Sequence, residues 1–323
     1  MKIKVVFSLT VILFLYFLPG LIFAQEANNK QVDLTQDFNL AGEHTSRIQY
    51  YIIESNFANI ELNGKHTGFT VYKLYLECIP SKLTGKDGDE YTCAKFSVNT
   101  NDTAEAEVPA LKNWSYIFKT ASGGMDEKGQ VLGIDHAKFE NLIDSNGKRI
   151  PQEKSYMIYN TFIDFHSFCN VFAEKTNDGK GIQDLKKIGE KIVHASAYSR
   201  PPVNLGSNIS EGSYFKNGEV TLLFKGISLV NNDDCALVGF DSGVSSFYIK
   251  MQPTQDISIE TNGGSHYKGD IYIDLNSYWV RKVIMDEFVV AETKLPFPPN
   301  VVNSITERNT VIQNVSEEEF NKK

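Results

Sequence analysis

Hydrophobic and polar positions alternate most cleanly over residues 269–275, where Ile271, Ile273 and Leu275 share one side of an extended chain and Asp270, Tyr272 and Asp274 the other. Asn276 and Ser277 then bring turn chemistry. Residues 278–293, rich in Trp, Val, Ile, Met and Phe and without Gly or Pro, read as a long strand folded back on the first. Residues 263–293 therefore predict a hairpin of an antiparallel sheet, a structural feature rather than a catalytic motif.

The same period recurs upstream. Ile48, Tyr50 and Ile52 alternate within 47–54, and Tyr72, Leu74, Leu76 and Cys78 within 68–78, with Asn63-Gly64 between them as a hairpin turn. Residues 91–98 and 114–120 continue the meander. The period then lengthens: 135–143 carries apolar residues three and four apart behind Asp135, which predicts a short helix. After Pro151, the positions Tyr159, Phe162, Phe165, Phe168, Cys169 and Phe172 predict an amphipathic helix of about five turns, its aromatic stripe laid on the sheet. Ile182, Leu185, Ile188 and Ile192 mark a further short helix that Gly189 weakens. Strands return at Val220, Leu222 and Phe224, at 235–240 and at 245–251, and Pro296, Pro298 and Pro299 end regular pairing. Strands, two or three helices and strands again predict an α+β fold, a large curved antiparallel sheet (an open half-barrel) covered on one face by those helices. The expected organisation is a signal peptide (1–24), a polar leader (25–45), a single half-barrel domain (46–300) and a polar C-terminal tail (301–323), frayed or on an edge.

Composition adds a compartment. Lys2 and Lys4, an apolar run from Val5 to Leu18, the Pro19-Gly20 break and the small Ala24 read as a secretory signal cleaved before Gln25, so the mature protein is expected in the periplasm or outside the cell. Losing those two lysines takes the formal charge from −8 to −10, which speaks against nucleic acid and anionic membrane as partners. In an oxidising compartment Cys78 and Cys93, bracketing a short loop, are expected to form a disulfide, with Cys169 and Cys235 buried as small hydrophobes. Triplets at Asn101, Asn113, Asn208 and Asn314 are glycosylation acceptors only in a host that glycosylates.

Candidate chemistry is sparse. His166 and Cys169 have ligand spacing without the further ligands zinc needs, so no metal is expected. Asp164 and His166 are two residues apart on a helix and point away from each other. His266 with Asp270, beside Gly263 and Gly264, is the more interesting pair, an imidazole at a sheet rim where backbone can approach a ligand closely. No nucleophile elbow, phosphate loop or dinucleotide fingerprint is present in the sequence, and no cofactor is expected.

The order of elements, the exported acidic chain and the stretch GDIYIDLNSYWVRKV at 269–283 resemble the periplasmic lipoprotein-carrier proteins and their half-barrel relatives. Those families repeat a strand, an Asp, a turn and a returning strand, with Gly where this chain has Tyr278, a bulky residue expected to avoid positive φ. The resemblance implies a concave face that holds acyl chains and performs no chemistry. The expected site sets Phe162, Phe165 and Phe168 against Ile271, Ile273 and Trp279, with a hydrophobic small molecule or lipid as ligand and an outer-membrane or envelope partner met transiently. The same residues can instead be plain core. The competing classes are an exported hydrolase using His266 and Asp270, and a protein-interaction module using exposed sheet edges.

Overall fold

Alternation along the chain resolves into one antiparallel sheet. Its strands are β1 (Gln49–Ile60), β2 (His66–Ile79), β3 (Glu90–Thr100), β4 (Ala106–Glu107), β5 (Trp114–Ile117), β6 (Lys191–Val193), β7 (Tyr198–Ser199), β8 (Tyr214–Lys216), β9 (Thr221–Val230), β10 (Asp233–Asp241), β11 (Ser245–Thr254), β12 (Ile257–Asp274), β13 (Val280–Lys294) and β14 (Val301–Val315). The computed structural model describes residues 32–101, 103–119, 132–173, 180–194, 198–199, 209–216, 218–254 and 256–322. The signal peptide and Asn208 of its glycosylation triplet lie outside the described residues.

Neighbouring strands run β4-β3-β2-β1-β14-β13-β12-β10-β9-β6. One side of β12 is shared, residues 268–274 pairing with β10 and 257–265 with β11. Among the described residues the path does not close, so the sheet is open and curved, with helices α1 (Ser81–Thr84), α2 (Gln152–His166) and α3 (Glu317–Asn321). This is the α+β layout that the periodicity predicts.

The register builds the core as rows across the strands. One row reads Phe224, Val238, Ile271, Val283, Ile312, Ile53, Leu74 and Phe96, one residue from each of eight strands and every one buried. Because successive side chains alternate faces, this belt defines an inner face. Helix α2 lies on it, beginning after Pro151, an extended residue with ψ of 149° that cannot donate a backbone bond. Ile158, Tyr159, Phe162 and Phe165 recur on its buried side. The helix then widens into a π-helical turn, Ser167–Val171, that swings Phe168 toward β10 and β12. The outer face carries cross-strand ion pairs such as Lys73–Glu54 and Lys225–Asp270. Its one described hydrophobic cluster forms where Phe320 of α3 packs on Ile52 and Tyr75.

Several expectations need correction. The tail from 301 is no frayed edge: β14 lies between β1 and β13, inside the sheet. The leader is not loose throughout, since Phe38 and Leu40 are buried and Phe38 packs edge-on against Phe224. The helix expected over 182–192 is a single 3-10 turn at Ile182–Asp184 followed by edge strand β6, because Gly189 takes a left-handed φ of 91° and reverses the chain. The helix expected over 135–143 shortens to the 3-10 turn His136–Phe139, with the Asp135 carboxylate accepting from Ala137 N at 3.0 Å. The Cys78–Cys93 disulfide is not formed. Register sets Cys78 opposite Tyr91 and Cys93 opposite Leu76, and such diagonal neighbours stand about 7–8 Å apart, beyond the span of a disulfide. All four cysteines are buried thiols, and burial pushes the Cys235 thiol up to about 12.

Candidate functional site

Moving along the strands from the belt toward the β13–β14 turn, the inner face changes character row by row. First comes a hydroxyl pair, Ser55 Oγ and Thr310 Oγ1, hydrogen-bonded at 2.7 Å. The next row aligns Tyr267, Glu287, Arg308 and Phe57. Arg308 reaches Asp164 of α2 at 2.5 Å and Glu287 at 2.7 Å, with its guanidinium over the Phe57 ring. Burial pushes the Asp164 carboxyl up against the opposing pull of Arg308, and it raises the Tyr267 phenol as well. One arginine thus faces two carboxylates beneath the helix. Beyond it stand Ser265 and Val289, with Ser245 across from Ser265 on β11. The Ser245 and Ser265 hydroxyls are buried without a hydrogen-bond partner among the described residues.

Under α2 itself the layer is made of rings. Phe162 stacks with Phe96 at 5.8 Å, Phe165 meets Tyr51 at 4.9 Å and Tyr91 at 5.6 Å, and Phe168 stacks with Phe240 at 4.9 Å. Ile271 and Ile273 sit on the same face, fully buried. Trp279 stands apart at the β12–β13 turn, stacked with His44 at 3.9 Å and donating from Nε1 to Thr45 O at 3.0 Å. Phe162, Phe165 and Phe168 share the inner face with Ile271 and Ile273, Phe162 over β3 and Phe168 over β10 and β12, while Trp279 belongs to another cluster. The two described clefts, about 200 and 390 Å³, open on the outer face and include none of these residues.

His266 and Asp270 do not pair. Both project from the outer face of β12, but His266 Nε2 lies 2.8 Å from Asp241, and Asp270 receives Lys225 Nζ at 2.5 Å. The cross-strand partners on β10 and β9 are nearer than a residue four positions along an extended strand. Gly263 and Gly264 lie within β12, not at a turn, and the close approach at Gly263 is filled by Phe247, whose ring would stand 2.2 Å from an added Cβ. Asp164 and His166 also diverge, as their spacing predicts: Asp164 joins Arg308, whereas His166 is sealed inside. Its Nε2 lies 2.7 Å from Tyr116 Oη and its Nδ1 2.7 Å from Asn170 Oδ1, and Asn170 Nδ2 donates to Tyr91 Oη at 3.1 Å. Burial drives the His166 pKa down to about 3. With 0% exposure this imidazole is a neutral structural link rather than a base for an outside substrate.

Arg308, Glu287 and Tyr267 escape a reading of the sequence. Along β14 the inward positions Ser304, Thr306, Arg308 and Thr310 are polar, so the alternation that marks a half-buried strand is missing there.

No family model matches this chain, and no curated protein matches it. Among solved structures it is similar to a chain described as "Asymmetric conductivity of engineered proteins", at 7% identity over 83% of this chain and 100% of that one, with a TM-score of 0.22. That likeness is too slight to carry an argument.

Proposed function

We propose that the mature chain is an exported, non-catalytic binding protein that holds an apolar, acyl-chain-like ligand between α2 and the inner face of the sheet. The observation that carries this reading is the way α2 is attached. Its described polar ties to the sheet are Lys154 Nζ to Thr100, Asp164 to Arg308 and His166 to Tyr116, and the rest of its buried side is mainly rings, with Ile158 among them. The hydrophobic part of ring burial is non-directional, so an acyl chain could replace it at about 0.8 kcal/mol per buried methylene. Phe162, Phe165 and Phe168 then act as a plug that the ligand displaces, with Ile271 and Ile273 as the opposing wall. The resemblance to half-barrel carriers points the same way.

Native mass spectrometry of gently purified protein is expected to find co-purified lipid, and a fluorescent polyene fatty acid is expected to bind saturably. Replacing Arg308 with Met releases one tie of α2 and is expected to speed uptake of the fatty acid. A protein that purifies without lipid and takes up no probe, in either form, rejects the reading and leaves the rings as core.

A further inference from the structure

The turn between β13 and β14, residues 295–300 with the sequence LPFPPN, presents apolar side chains to solvent. Phe297 is 49% exposed, and Val301 and Val302 just beyond it are 42% and 40% exposed. We infer that this tip inserts into the surface of a zwitterionic lipid bilayer.

The backbone carries the argument. A chain segment leaves water at less cost when it has few unsatisfied N–H groups, because an orphaned donor in hydrocarbon is costly. Pro296, Pro298 and Pro299 have no N–H. Leu295 N donates to Asn300 O at 2.7 Å, Asn300 N to Phe297 O at 2.9 Å and Val301 N to Pro299 O at 2.8 Å. Of the amides from 295 to 301, only that of Phe297 has no acceptor named here. Few free donors lower the cost of taking this turn out of water.

Size and charge select the occupant. The exposed apolar side chains at the tip are Phe297, Val301 and Val302, too few for the roughly 800 Å² a side that a stable protein interface buries. Lys294, the cation next to the tip, stands opposite Glu260 in the register, and the chain carries a formal charge of −8. An anionic surface would repel such a molecule, whereas a zwitterionic one asks only for apolar contact. The inference stands on the tip alone and does not depend on what the inner face binds.

The test is flotation of the purified protein with vesicles of phosphatidylcholine, alone and mixed in equal parts with phosphatidylglycerol. The protein is expected to float with phosphatidylcholine and no better with the mixture. Phe297→Asp is expected to cut partitioning by about tenfold or more, since it removes the largest inserted side chain. Leu229→Asp, an exposed leucine at the β9–β10 turn, leaves it unchanged. Phe297→Trp adds emission that brominated phosphatidylcholine quenches beyond the level of the parent. The inference is overturned by a parent that stays behind, by F297D floating like the parent, or by F297W escaping quenching. It is equally overturned if sedimentation without vesicles shows self-association that F297D abolishes, which would make the tip an interface between copies.

Discussion

The two ends of β13 solve one problem in opposite ways. At its start, the turn from β12 hides its backbone by giving the amides of residues 275–278 acceptors. Asp274, 2% exposed, accepts from Asn276 N at 2.7 Å and Ser277 N at 2.9 Å with one oxygen, and from Arg281 Nε at 2.8 Å and Nη2 at 2.5 Å with the other. Tyr278 takes a φ of 61° there, where a glycine would be at ease, and its ring lies over Gly42, 2.2 Å from where a Cβ would stand. At its far end, the turn into β14 hides its backbone by having few donors at all, and it leaves its side chains outside. The first turn is tied into the protein; the second is ready to leave water.

Asp274 is where this contrast can be broken most violently. Asp274→Ala strands Arg281, which also bonds Asp233 at 3.0 Å and Asn314 at 3.0 Å, and leaves two turn amides unmatched. The expected cost is about 3–5 kcal/mol of unfolding free energy in urea, with Asp274→Asn losing less because it keeps an acceptor. Equal stability of parent and D274A would show that the carboxylate does not organise the turn.

That turn also shows what was readable in advance. Residues 269–275 are legible because apolar and polar side chains alternate against a core on one face and water on the other, and the α+β layout follows from many such runs, although the place of β14 between β1 and β13 does not. The positive φ of Tyr278 runs against its bulk, and the distant Gly42, 236 residues upstream in a stretch read as polar leader, makes room for the ring. Pairings such as Lys225 with Asp270 are equally invisible, since they depend on register between strands far apart in sequence. Arg308 is hidden for the opposite reason: its strand is polar on the inside, so burial and hydropathy disagree. The aromatic helix is legible as a stripe, but whether a stripe is plug or core is decided by what its tertiary ties permit.

Acid separates the regions more gently. The Asp274 carboxyl is pushed up by burial but pulled further down by the Ser277 and Asn276 amides and by Arg281, so its pKa lies below the ordinary value and its turn holds until strongly acidic pH. His166 behaves otherwise. Its folded pKa near 3 lies below the unfolded value of about 6.5, so between those values the unfolded chain binds the extra proton and stability falls as pH drops. At pH 5 this one group is expected to have removed about 2 kcal/mol relative to pH 7. His44, His136 and His194, also held below the ordinary value by burial, act in the same direction. His166→Gln should therefore lose less stability than the parent between pH 7 and pH 5, by urea denaturation at both. Parallel losses in the two proteins would mean that His166 is not the buried neutral link its geometry describes.

The smallest expected effect is at the other end of β13, and its smallness is the point. Phe297 is half exposed, and the folded chain gains little by keeping it. A surface residue away from caps, cores and buried charges usually changes stability by no more than about 0.5 kcal/mol. Phe297→Asp is thus expected to unfold at nearly the same urea concentration as the parent, in contrast to D274A at the opposite end of the same strand. A residue so apolar, and on this expectation so dispensable to folding, is free to serve something outside the fold, such as the lipid surface proposed above. A cost of several kcal/mol in F297D would reverse that logic, because the ring would then be packing against the protein and the tip would be ordinary structure.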